Sequence, residues 1–526
     1  MSGVAAAAVQ VVGPNAASDG HMLTRTARLM TWALVLLIVW LPLQTPIAIA
    51  VFQYGHSVGL SRATLLLKDA AVALLLLYAL AATWRSLKLR WFDMAAIAYV
   101  VLVVVYSIVP WLLGSDQSIT TVASAAREFA MPVEAYALGR LAYLAGADVK
   151  LVFEVFVGAS AVVAAAAVLE YFVLPITFWS STLDLVTFER VVQGIPGANS
   201  LWEIALLGDY GAGWGVYPRA IATFTHPVGA GGYFILPLGL TVAAWYSREG
   251  HGKRLMTAGL IVLALLFALA TIVTLSRGAW IAGVIVVVMC GFMFRRLRMA
   301  FLCLMVVGAF LLGVRPFNES ITSVLSQNDS SVMGHIAAIG RDVEAAFENI
   351  LGLGLGSADR VVDIQLQPTP TLGQASQTPT ASQTPTASQA PTASQAPTGS
   401  EYNADVESAG LGENLYLSVL VSTGPLGAAT FVAWCLGVIV MLLRAARQSA
   451  RKWLLIGTAA ALVGSLVSAM TSSALMRFTT AASAWLLLGL ATSLVLANSP
   501  GIGSLTRPHL GARGWRSLRR KRDTKP

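Results

Sequence analysis

The feature of this sequence that most limits its fold is a series of apolar segments, each long enough to cross a lipid bilayer. A bilayer core requires about 20 apolar residues per helix, and we recognise about twelve such segments. They lie near residues 29–52, 64–84, 92–113, 121–143, 150–175, 219–246, 255–275, 278–294, 299–315, 414–443, 453–473 and 478–497. Only 12% of the residues are charged, whereas a soluble protein carries about a quarter. The sequence therefore predicts an all-α polytopic membrane protein.

The basic residues predict how these segments are oriented, because cytoplasmic loops of membrane proteins are enriched in Lys and Arg. With both termini in the cytoplasm, most of the 35 basic residues fall in the tails and cytoplasmic loops, including Arg140 and Lys150. The arginines left on the extracytoplasmic side are Arg62, Arg190, Arg219, Arg277, Arg315, Arg341, Arg360 and Arg477. The net charge of +9 therefore reflects membrane topology, and no nucleic-acid partner is expected.

This topology divides the chain into tails, helices and one long loop. We expect a cytoplasmic tail over 1–28, nine transmembrane helices over 29–315, an extracytoplasmic loop over 316–413, three further helices over 414–497 and a basic cytoplasmic tail over 498–526. Cys290, Cys303 and Cys435 all lie in apolar segments, so neither a disulfide nor a metal site is expected. No cofactor is expected either.

The long loop before the tenth segment combines three kinds of sequence. Residues 331–350 have apolar side chains at helical spacing, which predicts an amphipathic helix. Such a helix could lie along the membrane surface or cap a cavity. The glycine-rich stretch 351–357 is suited to a tight turn. Tandem repeats of Ser, Gln, Pro and Thr over 376–399 predict an extended, solvated spacer.

Three polar clusters fall on the extracytoplasmic side in this topology. Arg219 lies at the predicted start of the sixth segment, in which Pro227 and nearby glycines should loosen the helix. Ser276 and Arg277 form a tight turn between two segments, and Glu413 begins the tenth. An arginine on the side that is poor in basic residues requires a partner, for which an anionic substrate group is suited. The structural alternatives are that Glu413 caps its helix and that each arginine reaches toward lipid phosphate.

Four motifs, three of them at these clusters and one in the glycine-rich stretch, resemble those of the O-antigen ligase/polymerase superfamily of bacterial envelopes. They are Pro-Arg-Ala-x-x-Thr-Phe-x-His-Pro at 218–227, Ser-Arg-Gly-Ala-Trp at 276–280, Leu-Gly-Leu-Gly-x-Gly at 351–356 and Glu-Asn-Leu-Tyr-Leu at 413–417. The resemblance depends on the order of the motifs, their spacing and their placement on one side. It spans most of the membrane region.

The resemblance implies a metal-independent glycosyltransferase in the bacterial inner membrane, with its active site on the extracytoplasmic side. The donor would be a glycan on a polyprenyl diphosphate, and the acceptor another glycan or a lipid core. Arg219 and Arg277 would hold the diphosphate, since guanidinium groups donate paired hydrogen bonds to phosphate oxygens. Glu413 would act as the base or orient the acceptor, and Asn414 and Tyr416 would shape the site. Ligases of the family have a histidine at the position of Glu413, so this chain fits the polymerase or exopolysaccharide branch better.

Further polar residues are secondary candidates for contact with the substrate. They are Ser276, His226, His335, Arg315, Arg341 and Arg127. His226 could instead be satisfied within its helix, and Arg315 and Arg341 could be solvated charges. Arg127 lies inside the fourth segment, where a charge is costly in lipid, so we expect it to face the protein interior or to pair with a neighbour.

Other function classes are compatible with this composition. A secondary transporter can have the same topology, but such folds usually have two related halves. The two halves of this sequence are not similar to each other. A flippase would also bind lipid-linked glycans. Metal-dependent polyprenyl glycosyltransferases typically have an acidic pair in the first external loop, whereas residues 53–63 contain no carboxylate. For a glycosyltransferase, the expected partners are membrane lipids, a glycan flippase and a chain-length regulator.

Overall fold

The computed structural model describes residues 20–112, 118–174, 178, 183–193, 219–247, 254–313, 339–340, 342–355, 414–472, 475–476 and 478–498. Within these ranges the chain forms twelve helices of 17 to 36 residues and no β-strand. They are α1 (Gly20–Gly55), α2 (Val58–Thr83), α3 (Trp91–Leu112), α4 (Ile119–Leu144), α5 (Val149–Val173), α6 (Pro227–Tyr246), α7 (Arg254–Val273), α8 (Arg277–Met293), α9 (Leu297–Gly313), α10 (Leu415–Ala446), α11 (Lys452–Ser468) and α12 (Phe478–Asn498). Each predicted apolar segment overlaps one of these helices, so the all-α fold is confirmed.

Seven of the described helices are long and apolar enough to cross a membrane, namely α1, α2, α3, α5, α6, α7 and α10. Helices α8, α9 and α11 are apolar but shorter, with 17 residues each. Helix α4 has 26 residues, and it carries the charged residues Arg127, Glu128, Glu134 and Arg140. These helices make the chain an all-α, multi-pass membrane protein.

The outer surface of the bundle is apolar, as a surface in contact with lipid should be. On α2, Leu74 is exposed while Lys68 is buried, and α9 exposes Phe301. Trp84 and Trp91 are exposed where α2 ends and α3 begins, and aromatic side chains are enriched at membrane interfaces. The apolar faces that lack a protein neighbour are therefore suited to acyl chains.

Aromatic side chains fill the core between α3, α4, α10 and α12. The rings of Trp434 and Trp485 stack with 4.7 Å between their centroids, and Phe431 packs against Tyr99 at 5.4 Å. Helices α4 and α12 approach closely at Gly139, where a Cβ atom would lie 2.0 Å from the Leu486 carbonyl oxygen. Small residues at such crossings allow membrane helices to pack backbone against backbone.

The helices alternate in direction, which gives the bundle two ends. We call the end at which α6, α8 and α10 begin the arginine end, because Arg219 and Arg277 lie there. The end of α1 meets the start of α2 at this end, where the Ser61 hydroxyl donates to the Ala48 carbonyl at 2.7 Å. At the opposite end, the N–H of Asp148 before α5 donates to the Thr31 hydroxyl of α1 at 3.0 Å.

A buried ion pair joins three helices at the opposite end. Arg140 of α4 pairs with Asp93 of α3, and the Tyr136 hydroxyl donates to the same carboxylate at 3.0 Å. Arg140 Nε also donates to the Ser493 hydroxyl of α12 at 3.0 Å. The prediction that Arg140 belongs to a cytoplasmic loop is therefore wrong. The Arg140 side chain is buried between α3, α4 and α12, where the Asp93 carboxylate neutralises its charge.

Three predicted boundaries change in the structure. Helix α6 begins at Pro227 rather than at Arg219, because proline lacks an N–H and has a fixed φ that suit the first helical position. The prediction that Pro227 loosens the helix is therefore wrong. Helix α1 begins at Gly20, inside the predicted tail over 1–28. The loop helix predicted over 331–350 is helical at 339–340 and 342–348, and 331–338 lie outside the described residues.

The glycine-rich stretch forms the predicted tight turn over 351–355. Gly352 and Gly354 have φ values of 85° and 89°, a left-handed conformation that glycine adopts without steric cost. The repeat spacer over 376–399 and the basic tail after residue 498 lie outside the described part of the chain.

Candidate functional site

Arg277 is the first residue of α8 and directly follows a tight turn. Helix α7 ends at Val273, and Leu275 in the turn has a left-handed φ of 49°. Ser276 is buried at the N-cap position of α8. The N–H of Ser276 lies 3.4 Å from the Thr274 hydroxyl. The predicted turn is confirmed, and it fixes the point at which the Arg277 side chain leaves the backbone.

Arg219 is attached to the same turn. Its Nε donates a hydrogen bond to the Thr274 carbonyl at 3.3 Å, and the N–H of Ala220 donates to the Val273 carbonyl at 3.1 Å. Arg219 and Thr274 are 55 positions apart in the sequence. The segment before α6 and the turn before α8 therefore form one structural unit, which carries both arginines.

A carboxylate that the sequence analysis missed holds the Arg219 segment in place. Glu170 of α5 accepts hydrogen bonds from the N–H groups of Ile221 at 3.0 Å and Ala222 at 2.6 Å. Ala222 has a left-handed φ of 54°, which is uncommon for a residue with a Cβ atom. These charge-assisted bonds stabilise that conformation two and three residues after Arg219. The sequence did contain a signal for this role, because Glu170 is a carboxylate in the last turn of an apolar helix.

The start of α6 packs directly on the turn before Arg277. His226 caps α6, since its Nδ1 accepts a hydrogen bond from the N–H of Val228 at 3.2 Å. Gly231 lies one turn further on, where a Cβ atom would be 2.8 Å from Ala279 Cβ and 2.9 Å from Thr274 Oγ1. The structure therefore gives His226 the local helix-capping role that was its alternative, next to the site.

The start of α10 is tied to the end of α11. Asn414 Oδ1 accepts from the N–H groups of Tyr416 at 3.0 Å and Leu417 at 3.2 Å, so Asn414 is the N-cap. The N–H of Leu415 donates to the Ala469 carbonyl at 3.0 Å. The Tyr416 hydroxyl donates to the Leu466 carbonyl at 2.6 Å. Asn414 and Tyr416 thus fix the position and direction of the helix that follows Glu413.

The starts of α8 and α10 meet on α11. A Cβ atom on Gly278 would lie 2.6 Å from Thr471 Oγ1 and 2.9 Å from Ser468 Oγ, one residue from the Ala469 carbonyl that binds α10. Three helix starts, those of α6, α8 and α10, are thus joined through direct contacts at the arginine end. Helix starts carry partial positive charge from their N–H groups and are suited to binding anions such as phosphate.

The position of Arg277 is unfavourable for the stability of α8. The first turn of α8 contains no acidic residue, and a cation at a helix start opposes the helix dipole by about 0.3–1 kcal/mol. An anion bound at the same helix start would interact favourably both with the helix dipole and with the Arg277 side chain.

Arg127 is engaged in a different part of the bundle. Its guanidinium group pairs with Asp69 of α2 at 3.3 Å, and Lys68 lies 4.0 Å from the same carboxylate. This pairing with a neighbour is the structural alternative that the sequence analysis left open. The contact links α2 to α4.

Four predicted site residues lie outside the described part of the chain. They are Glu413, Arg315, His335 and Arg341. Glu413 directly precedes Asn414 in the sequence. Among the described residues, no group of three His, Cys, Asp or Glu side chains is arranged to bind a metal ion.

Comparison with known proteins gives no assignment. The chain matches no family model, and no curated protein matches it in sequence. The site is therefore characterised by its own geometry. That geometry consists of two arginines on one structural unit, three joined helix starts, and a fourth helix, α11, on which two of the starts pack.

Proposed function

We propose that the protein is an extracytoplasmic glycosyltransferase that moves a glycan from a polyprenyl diphosphate to an acceptor hydroxyl. One observation carries the proposal: Arg219 is hydrogen-bonded to the turn that presents Arg277. Two guanidinium groups fixed on one unit are suited to the adjacent phosphates of a diphosphate. The motifs that resemble the O-antigen ligase/polymerase superfamily include both arginines, which supports the same reading.

In the proposed reaction, an acceptor hydroxyl oxygen attacks the anomeric carbon of the donor glycan. A glycosidic C–O bond forms while the C–O bond to the diphosphate breaks, and the polyprenyl diphosphate leaves with the electron pair. Arg219 and Arg277 stabilise the negative charge that develops on this leaving group. The Glu413 carboxylate, at the start of α10, accepts the proton from the hydroxyl.

The proposed topology has twelve transmembrane helices, with both termini in the cytoplasm and the arginine end outside the bacterial inner membrane. It is supported by the alternating helix directions and by the basic residues of the loops at the opposite end. These are Arg85, Lys88 and Arg90 after α2, Arg295 and Arg296 after α8, and Arg447 and Arg451 after α10.

Reconstitution tests the reaction directly. The full-length protein would be placed in liposomes with a polyprenyl-diphosphate glycan, and the products would be separated by size. Longer glycans on the lipid indicate a polymerase, and transfer to a second acceptor lipid indicates a ligase. Movement of intact donor across the bilayer without any new glycosidic bond would contradict the proposal and indicate a flippase.

Variants of Arg277 test the site. We expect Arg277→Ala to lower the rate of product formation by about 10²–10³-fold, the usual cost of removing one transition-state donor. Arg277→Lys should recover only part of this loss, because an ammonium group lacks the paired donors. Arg298→Ala is the matched control, since Arg298 is exposed at the opposite end. If Arg277→Ala forms product at the wild-type rate, Arg277 does not act in the proposed reaction and the assignment is wrong.

A further inference from the structure

The glycine turn at 351–355 inserts between α3 and α10. The N–H of Leu353 donates to the Val421 carbonyl at 2.8 Å, and the N–H of Leu355 donates to the Tyr106 carbonyl at 3.1 Å. The Tyr106 hydroxyl in turn donates to the Leu351 carbonyl. Three hydrogen bonds thus hold this irregular backbone to two helices.

Helix α10 is interrupted at the point that the turn contacts. Pro425 has no N–H, so the Val421 carbonyl one turn earlier lacks its helical donor, and Leu353 supplies the missing bond. Gly424 has a non-helical φ of 65° and ψ of −177°. A Cβ atom on Gly352 would lie 2.6 Å from the Gly424 nitrogen. The turn and the break in α10 are therefore complementary in shape and hydrogen bonding.

The turn lies within the depth of the helix bundle rather than above it. Tyr106 is six residues before the end of α3 at Leu112, and Val421 is six residues after the start of α10 at Leu415. At 1.5 Å per residue, both contacts lie about 9 Å inside the helix ends. Non-helical backbone at membrane depth requires internal hydrogen bonds, which this turn has.

Three large apolar side chains beside this buried backbone are exposed, as are Glu344 and Glu348 on the preceding helical turns. Leu351 is 82% exposed, Ile350 65% and Phe347 76%, whereas Asp342 and Ala345 of the preceding helix are buried. A helix at a water-facing surface has its polar residues outward and its apolar residues inward. Here Phe347, Ile350 and Leu351 face outward at a level where α3 and α10 also expose apolar residues. These neighbours are Ile108, Leu112 and Leu426.

We propose that residues 342–355 form a re-entrant element whose apolar stripe, Phe347, Ile350 and Leu351, inserts into the lipid at the arginine end. The occupant is the bilayer's own acyl chains, because the stripe continues the lipid-facing surfaces of α3 and α10 at the same depth. Since the element also supplies the missing hydrogen bond of α10, lipid contact supports the first turns of this helix, which begins at Leu415.

Spin-label accessibility tests this proposal in the full-length protein in nanodiscs. Single cysteines would replace Phe347, Leu351 or, as the matched control on the same helix, Glu344, with Cys290, Cys303 and Cys435 changed to alanine. We expect the ratio of oxygen to nickel-chelate accessibility to be several-fold higher at Phe347 and Leu351 than at Glu344. Equal, water-like ratios would overturn the proposal. Low accessibility to both reagents would also overturn it, since protein would then cover the stripe.

The wild-type chain provides a second measurement that needs no substitution. In liposomes containing a phospholipid with a diazirine on its acyl chain, irradiation should attach lipid within 347–351, as located by mass spectrometry. Labelling of α9 at Phe301 serves as the positive control, because Phe301 is exposed on an apolar helix. Adducts on α9 without any on 347–351 would contradict the proposal. Neither experiment uses a glycan substrate, so the result is independent of the proposed reaction.

Discussion

The two ends of the bundle use arginine in different ways. At the opposite end, Arg140 lies inside α4 and pairs with the buried carboxylate of Asp93. At the arginine end, Arg219 donates to a neutral backbone carbonyl, and Arg277 occupies a helix start, where a cation is unfavourable. The first arrangement neutralises a charge and joins helices. The second brings two guanidinium groups to one end of the bundle on joined segments, an arrangement that is suited to binding a diphosphate.

The largest effect on stability should come from the opposite end. Arg140→Ala leaves Asp93 buried without its cation, so we expect the free energy of unfolding to fall by about 3–5 kcal/mol. The double variant Arg140→Gln with Asp93→Asn should recover part of the loss, because no unpaired charge remains. Thermal unfolding of the purified proteins in one detergent measures this. An unchanged Tm for Arg140→Ala would show that the pair does not hold the helices.

Loss of Glu170 should mainly affect activity. Glu170→Ala removes two charge-assisted hydrogen bonds from the segment after Arg219, each of which is typically worth about 1.5–3 kcal/mol. We expect at least about a tenfold rise in the KM for the donor, with partial rescue by Glu170→Gln, which keeps one acceptor oxygen. Glu154→Ala is the control, since Glu154 is exposed on the same helix. If the KM is unchanged, Glu170 does not position Arg219.

Gly231→Ala should have an intermediate effect. The added methyl group meets Ala279 at 2.8 Å and should push α6 away from the turn before Arg277, at a cost of about 1–3 kcal/mol. We expect a lower Tm together with a lower rate of product formation. Gly259→Ala on α7 is the control, because nothing lies within 4 Å of a Cβ atom there. Full activity in the Gly231 variant would show that this packing does not matter for the site.

Arg127→Gln should have the smallest effect. Arg127 and Asp69 are partly exposed, and such pairs contribute about 1 kcal/mol or less. We expect a small decrease in Tm and an unchanged KM for the donor. A large increase in that KM would show that Arg127 contacts the substrate and does not serve only as the partner of Asp69.

The sequence predicted the helices better than it predicted their contacts. Apolar length locates a helix, because each segment must satisfy its own backbone in lipid, and the turn at Ser276–Arg277 followed from two adjoining segments. The start of α6 was misplaced because the stereochemistry of Pro227 outweighed the apolar pattern. Arg140 and Glu170 were not recognised because their partners lie 47 and 51 positions away in the chain. Periodicity carries no information about such pairs.

Ligand binding to the two arginines tests the central claim most directly. The affinity of the purified protein for a polyprenyl diphosphate and for the matching monophosphate would be measured for the wild type, Arg219→Ala and Arg277→Ala. We predict that the wild type binds the diphosphate more tightly, and that each variant binds it at least about tenfold more weakly. If both variants retain wild-type affinity for the diphosphate, the arginine end does not bind this ligand, which contradicts the proposed site.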